Sequence, residues 1–76
     1  MVQLYWTQNC APCARTKQWL KSKGVEYDAV ELKTAQDFEE KIGPLGFKSV
    51  PVAVTENGAW NFGEGLPKLK GLLNID

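Results

Sequence analysis

The spacing of apolar residues changes several times along this chain, and each change marks a boundary between elements. Val2 to Thr7 is a nearly continuous apolar run rich in β-branched and aromatic side chains, which predicts a strand covered on both faces. Gln8-Asn9 is a polar loop, and Ala11 to Lys23 changes to helical spacing. Cys13, Thr16 and Leu20 fall at i, i+3 and i+7 with Trp19 flanking them, while Arg15, Lys17, Lys21 and Lys23 supply a solvated face. Pro12 suits a first helical turn, where it forfeits no intrahelical hydrogen bond, and Gly24 suits a helix stop. Val25 to Leu32 predicts a second strand. Thr34 is placed as the N-cap of a second helix, with Asp37 completing a capping box; Ala35, Phe38 and Ile42 form its apolar stripe, and Gly43-Pro44 ends it. Leu45 to Ser49 connects to a third strand, Val50 to Val54. Asn57-Gly58 predicts a two-residue hairpin returning the chain along Ala59 to Phe62. Gly63 and Gly65 mark a turn, Pro67 sits at a helix start, and Leu66, Leu69, Leu72 and Leu73 make the last helix's inner face.

The order is β-α-β-α-β-β-α. That is an α/β chain with a four-stranded mixed sheet flanked by three helices, expected as one domain over residues 1–76. At 76 residues a single core is only just sufficient, and 43% hydrophobic residues are enough to fill it. Nine Lys and Arg balance nine Asp and Glu, so the basic excess that nucleic-acid or membrane-surface binding needs is missing. No apolar run approaches the roughly 18 residues of a membrane span, and no basic segment leads into a long apolar one. A cytoplasmic monomer is expected.

Chemistry enters with Cys10-Ala11-Pro12-Cys13, the chain's only cysteines, at the predicted strand-to-helix junction. A sulfur at a helix N-terminus faces unpaired backbone N–H groups and the positive end of the helix dipole, both of which favour the thiolate. The thiolate is the reactive form. Cys10 is therefore the candidate nucleophile. Cys13, one turn further on, is the candidate resolving thiol for a mixed disulfide formed at Cys10. A zinc site would need two more ligands, and the chain has neither histidine nor further cysteine.

These residues resemble the thioredoxin fold in its short glutaredoxin form. The resemblance rests on the Cys-x-x-Cys junction, on Ser49-Val50-Pro51-Val52 and on the Gly63 turn before the last helix. Within that family, Cys13-Ala14-Arg15-Thr16-Lys17, Gly46-Phe47-Lys48-Ser49-Val50-Pro51-Val52 and Trp60 most resemble the NrdH-redoxins. The resemblance implies that Pro51 is cis and faces the cysteines, leaving the Val50 backbone to pair with an extended substrate. It also implies a protein-disulfide reductase with no cofactor of its own. Electrons would come from NADPH through a flavoprotein, thioredoxin reductase, and pass to ribonucleotide reductase or another disulfide-containing protein. Pro12, Lys48, Trp60 and Gly63 are the remaining candidate contacts for a partner. Lys17 and Lys48 are candidates for thiolate stabilisation or steering, against the plainer reading of solvated lysines. For Trp60 the competing reading is a strand aromatic packed on the last helix.

Two departures bear on the electron donor. Glutathione-using glutaredoxins commonly carry a lysine where this chain has Thr7, and an acidic pair where it has Gly65-Leu66-Pro67. The turn from Trp60 to Pro67 is also longer than the redoxins' usual one. A glutathione-dependent glutaredoxin is the nearest alternative, and a redox-regulated binding module is the alternative of another class.

Overall fold

The computed structural model describes residues 2–75. Strands β1 (Val2–Trp6), β2 (Tyr27–Glu31), β3 (Val52–Thr55) and β4 (Gly58–Asn61) alternate with helices α1 (Ala11–Ser22), α2 (Ala35–Lys41) and α3 (Leu66–Leu73) in the expected order. The sheet order is β2-β1-β3-β4. β1 runs parallel to β2 and antiparallel to β3, and β4 folds back antiparallel on β3.

The sheet separates two cores. On one side Val2, Leu4, Ala53 and Trp60 pack with Leu20 of α1 and Leu69 of α3; on the other Val52 packs with Leu32 and Ile42, and Tyr5 and Phe38 close over them. β1 thus feeds both faces, Leu4 to one and Tyr5 to the other. Coverage is incomplete: Gln3 is exposed, because α2 shields only one end of its face through Phe38 and the C-cap Ile42. Ala35, expected in the α2 stripe, is exposed for the same reason.

Several boundaries shift from their expected places. β2 starts at Tyr27 because Val25 still serves the helix: Gly24 takes φ +70°, and the Val25 N–H donates to the Leu20 carbonyl at 3.0 Å. β3 starts at Val52, after Pro51, which has no N–H to give a ladder. β4 ends at Asn61, and Phe62 opens a short 3-10 turn, Phe62–Glu64. The hairpin loop is Glu56-Asn57 rather than Asn57-Gly58. Thr55 pairs with Gly58, and Gly58 takes φ +137°, a value only glycine adopts without strain.

The capping box of α2 is complete. The Asp37 N–H donates to Thr34 Oγ1 at 3.1 Å, and Asp37 Oδ2 accepts from the N–H groups of Lys33 and Thr34 at 2.9 and 3.1 Å. The Lys33 bond first, then the Thr34 bond, hold the Asp37 carboxyl below its ordinary value. Such a group stabilises the fold fully above its unfolded pKa of about 4, and the contribution is lost as pH falls through the lower folded value. Asp37→Asn is therefore expected to lower the melting temperature at neutral pH and to flatten its decline below about pH 4. Equal acid sensitivity in the parent and the variant would show that this cap does not contribute.

Candidate active site

The parallel pair β1–β2 sends the chain out at the C-terminal end of β1 into Thr7–Asn9. Asn9 takes φ +57°, the left-handed region that asparagine tolerates better than most residues, and the chain turns there into α1. Cys10 is the N-cap, with extended backbone angles, and the Cys13 N–H donates to its Sγ at 3.1 Å. The two sulfurs are bonded as a disulfide, with Cα atoms 5.2 Å apart. Their surroundings differ. Cys10 is half-buried, whereas Cys13 is 1% exposed on the inner side of the helix, beside the fully buried Thr16. The Thr16 hydroxyl donates to the Pro12 carbonyl at 2.8 Å, which holds the first turn closed.

The sequence signal for this end of the sheet extends to β3. Tyr5 pairs with Val52, so continuing that register sets Pro51 alongside Trp6 and Val50 alongside Thr7. The Val50–Pro51 bond is cis and Pro51 is buried. The twenty residues between β2 and β3 thus return the chain to the strand end from which Cys10 emerges. Val50 is half-buried, and among the described residues neither its N–H nor its carbonyl is engaged in a backbone hydrogen bond.

The other candidates fare unevenly. Pro12 is half-buried in the first turn of α1, and Lys48 is exposed. Trp60 is not a docking surface. It is fully buried between the sheet and α3, its Nε1–H donates to the Gly65 carbonyl at 2.8 Å, and Phe62 meets it edge-on at 6.1 Å. The apolar area of a tryptophan at the centre of β4 outweighs any gain from presenting it. Gly63 is exposed, but its N–H is taken by Asn61 Oδ1 at 3.0 Å, so it serves the turn. Lys17 is also engaged, its ammonium 3.1 Å above the Trp6 ring. Sequence reasoning missed Asn61, whose amide reaches the Ser49 carbonyl at 2.8 Å. A cleft of 460 Å³ lies between α2 and the 43–48 connection, lined by Phe38, Glu39, Gly43, Gly46, Phe47 and Lys48.

The Glutaredoxin family model matches residues 2–58, which include the cysteines and the whole β1–β3 framework. The chain belongs to the glutaredoxin family. A glutaredoxin-like protein NrdH of Lactococcus lactis is 30% identical over 61 residues, covering 80% of this chain and 85% of that one. Among solved structures, a mutant of the thioredoxin-like protein BC3987 superposes with a TM-score of 0.84 at 28% identity, covering 99% of this chain and 96% of its own. The glutaredoxin of Archaeoglobus fulgidus gives 0.75 at 29% identity, covering 95% and 84%. The fold is thioredoxin-like. As a glutaredoxin-family member the chain is a thiol-disulfide oxidoreductase, and Cys10–Cys13 is its redox-active pair. Among the described residues no helix is long and apolar enough to cross a membrane.

Proposed function

We propose that the chain, acting as one domain, reduces disulfides in partner proteins, with Cys10 as nucleophile and Cys13 as resolving thiol. The observation that carries this reading is the asymmetry of the pair: Cys10 is half-exposed at the helix N-cap, and Cys13 is buried one turn away. In the reduced protein the Cys10 thiolate attacks one sulfur of the substrate disulfide. A Cys10–substrate mixed disulfide forms, and the other substrate sulfur leaves as a thiolate that takes a proton. The Cys13 thiolate then attacks Cys10 Sγ, releasing the second substrate thiol and closing Cys10–Cys13. Two electrons have passed to the substrate, and two protons go with them. The N–H groups at the start of α1 stabilise the attacking Cys10 thiolate. Val50 supplies a free backbone edge on which a substrate strand pairs while its disulfide lies over Cys10. Lys48 is exposed two residues before Val50, and Pro12 lies between the two cysteines in the first turn of α1.

The resemblance to the NrdH-redoxins supports a cytoplasmic carrier that takes electrons from NADPH through thioredoxin reductase and delivers them to ribonucleotide reductase. One observation favours the glutathione alternative. A shallow cleft of 350 Å³ is lined by Thr7, Gln8, Glu31, Leu32 and Lys33, so Lys33 offers a cation beside the position where Thr7 lacks one. Glu31 on the same cleft opposes an incoming carboxylate.

Limited alkylation at neutral pH tests the assignment of roles. In the reduced protein, iodoacetamide is expected to modify Cys10 well before Cys13, as read by peptide mass mapping. Preferential modification of Cys13 would reverse the two roles.

A further inference from the structure

We infer that Asn61 is a positioning residue that pins the Ser49–Val50–Pro51 segment and thereby sets the affinity for extended protein substrates. This rests on the docking edge proposed above and deepens it. Asn61 stands at the end of β4, paired with Val52. Both ends of its amide are used. Oδ1 accepts the Gly63 N–H at 3.0 Å and caps the 3-10 turn, while Nδ2–H donates to the Ser49 carbonyl at 2.8 Å, twelve residues earlier in the chain. One position further on, the Phe62 N–H donates to the Pro51 carbonyl at 3.2 Å. The carbonyls on either side of Val50 are thus both held from the β4–α3 turn, while Val50's own N–H and carbonyl carry no hydrogen bond among the described residues. Flanks fixed and centre free is the arrangement an incoming strand needs, because the receiving edge need not be ordered on binding.

The turn that holds Asn61 is itself anchored. Its backbone N–H donates to Glu64 Oε2 at 3.0 Å, and Glu64 Oε1 takes the Lys68 ammonium of α3 at 2.7 Å. No hydrogen bond runs from Asn61 to Cys10, so thiol chemistry with a small disulfide, which needs no backbone pairing, does not depend on it.

Two variants separate the pinning from the cap. Asn61→Asp keeps an acceptor for the Gly63 N–H but has no donor for Ser49. Asn61→Ser keeps a good cap without adding charge, and its hydroxyl is too short to reach. KM and kcat are measured with insulin as the protein disulfide, and rates with a small aromatic disulfide. Both variants are expected to raise the insulin KM roughly five- to tenfold, the loss of about one hydrogen bond. The insulin kcat and the small-disulfide rate should stay at the parental level. An unchanged KM overturns the inference, and so does a parallel loss on both substrates, which would make Asn61 a residue of the fold alone. A parent that reduces the small disulfide but not insulin overturns the proposed function and this inference with it.

Discussion

Cys10→Ser is expected to abolish disulfide reduction, and Cys13→Ser to stop it after a single half-reaction. The two outcomes differ because the two sulfurs occupy different environments. Cys10 accepts the Cys13 N–H at the mouth of α1 and is accessible; Cys13 is 1% exposed. A serine hydroxyl at position 10 is not ionised at neutral pH and cannot take over, so no mixed disulfide forms and turnover falls to background. With serine at position 13 the first attack proceeds, but the mixed disulfide has no neighbouring thiol to resolve it. The expected kinetics are a burst of about one equivalent of released thiol followed by a stall. Sustained turnover of a protein disulfide by the Cys13→Ser variant, without added thiol, would exclude the two-cysteine mechanism.

The second large effect concerns the electron donor. Glutathione carries two carboxylates and an ammonium, so tight binding calls for fixed charges around the cleft. Thr7 stands where a lysine would pair a carboxylate, and its hydroxyl is already committed to the Leu32 carbonyl at 2.9 Å. Gly65-Leu66-Pro67 stands where acids would pair the ammonium, and there the Gly65 carbonyl is taken by Trp60. Two lost charge-assisted contacts, each worth about 1.5–3 kcal/mol, weaken binding by about two to four orders of magnitude. Lys33 beside Thr7 recovers part of one contact, which favours the lower part of that range. With NADPH as the source, thioredoxin reductase is expected to reduce the oxidised protein efficiently, and glutathione with its reductase poorly. Comparable rates would place the protein with the glutathione-using glutaredoxins and leave the dithiol chemistry standing.

What the sequence revealed is what local physics decides. The helical spacing of Cys13, Thr16 and Leu20, the Thr34–Asp37 cap and the stop at Gly24 all act within a few residues, and the structure has them where the pattern places them. The cysteine junction was legible for the same reason: a strand, a polar loop and a proline-bearing first turn fix Cys10 at the N-cap. Resemblance, rather than periodicity, carried the cis bond before Pro51. The features that the pattern left open or missed depend on distant partners. Val25 looks like strand but is held by Leu20. Trp60 has the composition of either a surface or a core aromatic, and only the packing of Leu69 and the Gly65 carbonyl decides for the core. Asn61 reads as an ordinary turn residue, because its reach to Ser49 exists only once β3 and β4 are paired.

The central claim is that Cys10 forms a covalent intermediate with a protein disulfide and that Cys13 resolves it. The most direct measurement is to mix reduced Cys13→Ser protein with a disulfide-containing protein substrate, quench in acid, and map the covalent adduct by non-reducing peptide mass spectrometry. A dithiothreitol-reversible adduct joining the substrate to the peptide that contains Cys10 is the expected result. Absence of any adduct from a variant that remains folded and alkylatable at Cys10 would contradict the account.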